Sequence, residues 1–468
     1  MPVDALNSAL AGLDVTKARI DLISQNIANA QTVGYTDKTV TQSTDGLGVV
    51  QLGTIQRNVS EQLQQSLNDT TGTVNQLQTS ATLLSQVETS FGTPSADNSL
   101  ASSITNLQNA FQDLSVNPEQ STLFNSVLDQ ATAVAGKLNS LSQTVSGTSF
   151  SATTQMQQAV TTVNTTLQSI DSINKQIVGA GPGADTTTLQ DQRDQAISTL
   201  AGFMDITTFN KPDGEVAVYT ADGKPLDDNT AATISTNGNA IVWNMPPAAP
   251  ATITVNSGTI AGLQNLQNTV LPALQSQLDD IARALTVSFN SINVPLFNDG
   301  GTSPLLGSNP ALPISVANPV NPTQLTGYAA RIAVNQAVIA TPTILRDANS
   351  ATPLAPGDTT NIDAAIGLFN SQTIAFNPAV GLPATSSFVQ AATDFVSSVS
   401  SQQATAQDQL TSTQALQQTL QNQVSAQSGV NIDQEVALLA VLQNTYSANA
   451  RVLTTTQNIY SALFNAVQ

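Results

Sequence analysis

Apolar residues recur at intervals of seven near both ends of the chain. The N-terminal series consists of Leu6, Leu13, Ile20 and Ile27. The C-terminal series consists of Ile432, Leu439, Tyr446, Leu453, Tyr460 and Val467, with Val436, Ala450 and Phe464 at the complementary position. A repeat of this kind is typical of a narrow coiled-coil seam. We therefore predict one amphipathic helix at each end, and the first should end near Asn29 because Gly34 favours a turn.

Between the two ends the hydrophobic period changes several times. Leu100, Ile104 and Leu107 begin a run with spacings of four and three, which predicts an amphipathic helix. Alternating apolar and polar residues on either side of Asn237-Gly238 predict a β-hairpin. Frequent prolines after residue 292 exclude a long helix in that part of the chain.

These changes divide the chain into seven segments. They are an N-terminal helix and hairpin at 1–60, a helical bundle at 61–204, a small β-rich insert at 205–258, a second part of the bundle at 259–291, a proline-rich loop and strand insert at 292–385, a third part of the bundle at 386–427, and a C-terminal helix at 428–468. The predicted fold is mainly α with β inserts. It combines a long helical bundle, terminal coiled-coil helices from both chain ends and small outward β-rich domains.

The composition excludes most familiar catalytic chemistry. The chain has 468 residues but no His and no Cys, which excludes a thiol nucleophile, an imidazole base, a disulfide framework and a Cys/His metal cluster. Its 13 basic and 32 acidic residues give a net charge of −19, which argues against nucleic acid as a partner. We predict no catalytic residue, no cofactor and no metal site.

Charged residues make up only 10% of the chain, compared with about 25% in ordinary soluble domains. Gln, Asn, Ser and Thr take their place. Such a surface suits packing against further copies of the chain, because it adds little charge repulsion and little desolvation cost. The N-terminal residues lack the basic region of a signal peptide, and no apolar run reaches the roughly 18 residues of a membrane span. We expect no membrane insertion, and any export should proceed without a cleavable signal peptide.

Motifs at both ends resemble those of the axial-protein family of the bacterial flagellum. One is the segment SQNIANAQTVGY at residues 24–35, although the family usually has Asn at the position of Gln25 and often Pro at that of Val33. The other comprises SGVNIDQE at residues 428–435 and YSANARV at residues 446–452. Within the family, the interior resembles the hook–filament junction members. The matching interior segments are LQDQRDQ at residues 189–195 and SGTIAGL at residues 257–263.

The resemblance implies an architecture and a set of partners. Helices from both ends would pair as an inner domain lining a central channel, and the subunits would form a ring between the hook protein and a second hook-associated junction protein. The protein would be secreted by the flagellar type III export apparatus, with a cytoplasmic chaperone on the C-terminal helix. The implied assembly interface combines the motif residues Asn26, Asn29, Gly34, Tyr35, Asn431 and Asn449 with the heptad residues Leu6, Leu13, Ile20, Ile27, Ile432, Leu439, Tyr446, Ala450, Leu453, Tyr460 and Phe464.

Acidic residues of the interior have two interpretations. Asp191, Arg193 and Asp194 could supply a carboxylate pair for acid/base chemistry, but we interpret them as ties between one helix and the adjacent loop. Two further acidic pairs are adjacent in sequence and are interpreted as solvated. They are the pair Asp227-Asp228 and the pair Asp279-Asp280.

The sequence therefore predicts a structural protein of the flagellum rather than an enzyme. Its function would be to join hook to filament, and it would be needed for filament assembly and motility. Another axial protein of the same family is the nearest alternative. A secreted coiled-coil adhesin or phage tail component would need repeats or a trimeric register, and the sequence has neither. A glycosidase would need two acids that converge in a cleft, whereas the acids of this sequence are scattered.

Overall fold

A computed structural model describes residues 2–44, 49–92, 97–181, 183–299, 326–348 and 353–467. The helices are α1 (Pro2–Asn29), α2 (Glu61–Phe91), α3 (Leu100–Val116), α4 (Ser121–Ala180), α5 (Thr187–Ala201), α6 (Gly258–Asn265), α7 (Leu271–Ser291), α8 (Gln336–Ala340), α9 (Ile344–Asp347), α10 (Thr360–Asn370), α11 (Phe388–Ser428) and α12 (Ile432–Val467). A π-helical turn at Leu266–Val270 joins α6 to α7, and a 3-10 turn occupies Pro378–Val380.

The strands are short and all their pairs are antiparallel in the described residues. They are β1 (Lys38–Thr44), β2 (Val50–Arg57), β3 (Ile206–Asn210), β4 (Val216–Thr220), β5 (Pro225–Asp227), β6 (Thr233–Asn237), β7 (Ala240–Asn244), β8 (Ala251–Ile253), β9 (Phe297–Asp299), β10 (Ile332–Val334), β11 (Ile374–Ala375) and β12 (Thr385–Ser386). This content confirms the predicted mainly α fold with β inserts.

The terminal helix and the interior helices agree with the hydrophobic pattern. Helix α1 ends at Asn29, where the seven-residue repeat stops. Helix α4 is continuous over 60 residues. The proline-rich segment at 292–385 contains only short helices and strands where it is described, and residues 300–325 and 349–352 of that predicted insert lie outside the described residues.

The chain divides into two compact units. The first unit comprises Met1–Gln76, Thr411–Gln468 and the segment Gln158–Ala261, and the second comprises Leu77–Gln157 and Gly262–Leu410. Each unit therefore combines stretches that are distant in sequence.

The second unit has an aromatic cluster at its core. Phe289 stacks on Phe111 with ring centroids 5.7 Å apart and meets Phe369 edge to face at the same separation. Phe369 also lies 6.0 Å from Phe388. These rings come from four helices, so the cluster fixes the packing of α3, α7, α10 and α11 within this unit.

Two acids of the second unit are buried, which corrects the prediction that they are solvated. Asp279 accepts hydrogen bonds from the backbone N–H groups of Gly327 and Ala329, at 2.8 Å each. Asp280 accepts from the N–H of Asn377 at 2.7 Å and pairs with Arg283. The acids hold loops against α7, because a buried carboxylate must find donors and backbone N–H groups supply them.

In the first unit, the predicted β insert consists of two three-stranded sheets. Their strand orders are β3-β4-β5 and β6-β7-β8. Asn164 of α4 fixes the second sheet, because its side chain donates to the carbonyl of Ile234 and accepts from the N–H of the same residue, at 2.8 Å each. The only Trp of the chain, Trp243, donates through Nε1 to the carbonyl of Pro225 at 2.6 Å.

Asp227 of β5 is also buried rather than solvated. Its side chain is fully inaccessible, and Oδ2 accepts from Nδ2 of Asn174 at 2.9 Å. Burial raises the pKa of this carboxyl to about 6. Its neighbour Asp228 instead receives hydrogen bonds from Lys211 and Tyr219, which hold its pKa below the usual range.

Candidate assembly interface at the two chain ends

Helices α1 and α12 pack along each other in antiparallel orientation within the first unit. Near one end of the pair, Asn26 contacts Glu435, and toward the other, Asn449 lies over Gly12. A Cβ atom on Gly12 would come within 2.8 Å of Nδ2 of Asn449. The two helices therefore approach closely at a position where a side chain would intervene.

Most of the predicted heptad residues line this helix pair. Those that are half-buried are Leu6, Leu13, Ile20, Ile27, Leu439, Asn449, Ala450, Leu453 and Tyr460. Ile432, Asn431 and Tyr446 are exposed. Phe464 belongs to α12, but its side chain lies outside the described residues.

The second position of the C-terminal repeat differs from the predicted one. The residues that α12 buries at this position are Glu435, Leu442 and Thr456, each one place before the predicted register, while Val436 is exposed. Helix α12 turns this face toward α1 because Leu442 is more apolar than Gln443, which the predicted register would bury.

The hairpin β1-β2 joins the N-terminal helix to α5 through a cluster of charges. Lys38 and Arg57 are cross-strand partners in the hairpin, so their side chains lie on one face. Asp191 of α5 lies 3.3 Å from Nζ of Lys38 and 2.9 Å from Nη1 of Arg57. Arg57 also pairs with Asp194 at 2.8 Å.

Arg193 has separate partners, one in the β insert and one on α4. Its Nη1 donates to the carbonyl of Gly214 at 2.7 Å and to Oδ1 of Asn174 at 3.1 Å. Asp191 and Asp194 therefore tie α5 to the hairpin, and Arg193 ties it to the insert. The three residues act as structural ties, as predicted, but they reach further than the adjacent loop.

The end motifs meet at Asn26, which is almost completely buried. Its Nδ2 lies within 3.2 Å of oxygens of Asp37, Lys38 and Glu435. Its Oδ1 accepts from the hydroxyl of Tyr35 at 2.9 Å and from the N–H of Lys38 at 3.3 Å. The N-terminal motif thus folds back on the helix end and holds the first turn of α12.

The turn before Tyr35 depends on a glycine. Gly34 has a φ of +81°, and a Cβ there would come within 2.9 Å of Oε1 of Gln195. The turn brings the N–H of Asp37 to the carbonyl of Ser428 at 2.8 Å. Tyr35 is engaged within the chain, and burial with nearby carboxylates raises its pKa to about 12.

A second apolar stripe on α12 has no partner among the described residues. Leu438, Val441, Val452 and Ile459 are 37%, 59%, 48% and 54% exposed. Thr445, Ala448 and Thr455 complete the stripe with spacings of three and four. We call this set the outer stripe. The sequence analysis did not predict this stripe. Its seven-residue spacing is the same as that of the stronger repeat through Leu439 and Tyr446, and it lies one place earlier along the chain.

The hydroxyl groups of the outer stripe are satisfied within the helix. Thr445 donates to the carbonyl of Val441, and Thr455 donates to that of Arg451, both at 2.9 Å. The threonines therefore add methyl groups to the surface without leaving an unpaired donor. Covering the stripe would cost little polar desolvation.

The described residues also bear on other kinds of site. No group of three or more acidic side chains that could hold a metal ion occurs among them. No helix in this part of the chain is both long and apolar enough to cross a membrane.

Comparisons with known proteins point to one family. Residues 84–295 match the family model described as the flagellar hook-associated protein FlgK helical domain. The chain is 29% identical to flagellar hook-associated protein 1 of Bacillus subtilis over 236 residues, which is 47% of this chain and 46% of that protein. It is 22% identical to the protein of the same name from Salmonella typhimurium over 363 residues, which is 72% of this chain and 65% of the relative.

The similarity extends to a solved structure of the flagellar hook junction protein FlgK from Burkholderia pseudomallei. That structure shares 24% identity and a TM-score of 0.46, over 51% of this chain and 45% of the other. The chain spans about half to two thirds of the length of the curated relatives it matches. The family model and the relatives confirm the resemblance drawn from the sequence motifs.

Proposed function

We propose that this chain, whose residues 84–295 match the FlgK helical domain, is a structural subunit of the bacterial flagellum that joins hook to filament. The observation that carries the proposal is the combination of that domain with an antiparallel pair of chain ends. The pair leaves one apolar stripe of α12 uncovered. A subunit of this kind would polymerise through the ends and would have no catalytic role.

The outer stripe is the proposed contact between copies of the chain. Completing the burial of each of its four large apolar side chains would contribute about 1 kcal/mol, because each is already about half covered. The sum of about 4 kcal/mol is at the low end of the cost of association, which is about 4 to 15 kcal/mol. A single contact would therefore be weak, and a stable assembly would need neighbours on more than one side, as in a ring.

The predicted interface residues take different parts in this proposal. Leu6, Leu13 and Ile20 of α1 and Leu453 of α12 would hold the two helices together within the chain, and the outer stripe would meet the neighbour. Ile432 and Tyr446, which are exposed, extend the surface that further subunits could cover. The other proposed partners are the hook protein, the second hook-associated junction protein, a cytoplasmic chaperone on α12 and the flagellar type III export apparatus, with secretion to the flagellum without a cleavable signal peptide.

Deletion of the gene tests the function directly. Cells should carry hooks without filaments, release unpolymerised filament subunit into the medium and fail to swim. A plasmid copy of the gene should restore filaments. Normal filaments on the deletion strain would overturn the proposal.

Variants of the outer stripe test the proposed contact. The double change Val441→Gln and Val452→Gln replaces apolar surface by uncharged polar surface, and we expect a folded, exported subunit that fails to restore filaments. The matched control, Val441→Ile and Val452→Ile, keeps the surface apolar and should restore them. Full complementation by the Gln variant would exclude the stripe as the contact between copies.

A further inference from the structure

The contact between the two chain ends has more hydrogen-bond acceptors than donors. The side-chain amide of Asn26 has two N–H groups, but its Nδ2 faces three oxygens. They are Oδ1 of Asp37 at 3.0 Å, the carbonyl of Lys38 at 2.9 Å and Oε1 of Glu435 at 3.2 Å. One acceptor of this set must therefore lack a full hydrogen bond from Asn26.

Glu435 is the member of the set that is short of donors. It is buried, and its Oε2 has no hydrogen-bond partner among the described residues. The carboxyl of Asp37 is its neighbour, because Oδ1 of Asp37 and Oε1 of Glu435 contact the same nitrogen of Asn26, at 3.0 and 3.2 Å. Two ionised carboxylates are acceptors only, so they can bond to each other only when one of them is protonated.

We propose that Asp37 and Glu435 share one proton, and that this proton holds the first turn of α12 against the last turn of α1. With the proton present, one carboxyl donates to the other and the shortage of donors at Asn26 disappears. Without it, two negative charges face each other at a buried position, where repulsion is strong. Proton loss would then separate the two chain ends. The inference concerns the chain itself and does not depend on the proposed flagellar role.

Other carboxylates lie near the same motif. Tyr35, which donates to Asn26, is influenced by Asp185 and Asp191 as well as by Asp37 and Glu435. Lys38 directs its ammonium group to Asp191 and over the ring of Tyr35, 4.5 Å from the ring centroid. It is therefore engaged elsewhere, and no salt bridge to Asp37 or Glu435 occurs within the part of the chain that the structure describes.

The direction of the pH dependence follows from burial. Burial is the main cause that raises the pKa of Glu435; the hydrogen bond from Asn26 lowers it, and the nearby Asp37 carboxyl raises it. Because the paired state binds the proton more tightly than the separated state, pairing is strongest at low pH. It weakens as the pH rises from the ordinary pKa of a Glu side chain, about 4.3, through the raised value of Glu435.

Spin labels can follow the separation in the full chain. The chain contains no Cys, so the changes Ser24→Cys and Ala437→Cys provide two unique labelling sites, both at exposed positions on the two antiparallel helices. We expect a single narrow distance distribution at low pH and a broad one at about pH 8, with a midpoint above about 4.3. A distribution that does not change with pH would overturn the proposal.

Two variants separate the shared proton from other titrations. Glu435→Gln supplies an amide N–H to Asp37 in place of the proton, so its distribution should stay narrow at all pH values. Asp433→Asn, at an exposed position of the same helical turn, should titrate as the parent does. If Glu435→Gln keeps the pH-dependent change of the parent, the shared proton is excluded.

Infrared spectroscopy gives an independent readout of the proton. Besides the bands of other buried carboxyls with a raised pKa, such as Asp227, a further C=O stretch of a protonated carboxyl should persist in the parent above the pH at which ordinary carboxyls ionise. It should be lost in Glu435→Gln and in Asp37→Asn, which tests the pair from the other side if the first variant does not fold. Absence of the band from the parent would contradict the proposal.

Discussion

At the scale of single residues, buried carboxylates connect separate segments of this chain through ion pairs and hydrogen bonds. Asp191 is the clearest case, because it accepts from the hydroxyl of Thr36 at 2.7 Å and pairs with Lys38 and Arg57. The side chain of Lys38 is only 3% exposed. A buried ammonium group without its counter-charge is strongly unfavourable.

Removal of Asp191 should therefore destabilise the first unit. We expect Asp191→Ala to lower the free energy of unfolding by about 3 to 5 kcal/mol, because Lys38 and Arg57 would remain buried without their shared partner. Denaturant unfolding followed by circular dichroism measures the change. The control is Asp171→Ala, which removes the partner of the exposed Lys175 on α4 and should have a much smaller effect. Equal losses in the two variants would contradict the assigned role of Asp191.

At the scale of elements, the sequence predicts which segments are helical better than it predicts which face each helix buries. The repeat through Leu439 and Leu453 places α12 correctly, since a seven-residue spacing is a property of the chain alone. The spacing does not determine the second seam position, because α12 has apolar residues around most of its circumference. Contact with α1 selects Leu442 and leaves Val436 and the outer stripe exposed.

The same reason explains the acids that were expected to be solvated. Asp227 and Asp279 are buried by contacts with residues 53 and 48 positions away, respectively, in sequence. A local pattern contains no information about such partners, so an acidic side chain is assigned to the surface by default. The charge ties of α5 were predictable in kind, but their partners Arg57 and Gly214 were not.

Adjacent residues of α12 offer a direct test of the face assignment. Leu442 is buried against α1, whereas Val441 belongs to the exposed stripe. We expect Leu442→Ala to reduce the stability of the isolated subunit by about 2 to 5 kcal/mol, through lost burial and a cavity. Val441→Ala should change it by no more than about 0.5 kcal/mol, yet weaken self-association. Thermal unfolding and sedimentation of both variants measure the two effects, and the reverse order of stabilities would show that the face assignment is wrong.

At the scale of the whole molecule, charged residues are much rarer at the C-terminal end than in the rest of the chain. The last 60 residues contain only Asp433, Glu435 and Arg451 as charged residues, although the chain carries a net charge of −19. Glu435 is buried, and the outer stripe contains no charged residue. Copies of the chain should therefore repel each other through their remaining surface and attract each other through an uncharged one.

Salt should consequently strengthen self-association. Raising the ionic strength from about 0.01 M to about 0.1 M shortens the Debye length from about 30 Å to about 10 Å, which screens the repulsion between copies and leaves the apolar contact intact. Sedimentation equilibrium of the subunit at the two salt concentrations measures the effect. The variant with Val441→Gln and Val452→Gln, whose net charge is unchanged, should stay monomeric at both. Association through ion pairs would respond in the opposite direction, so weaker self-association at the higher salt concentration would exclude the outer stripe as its main cause.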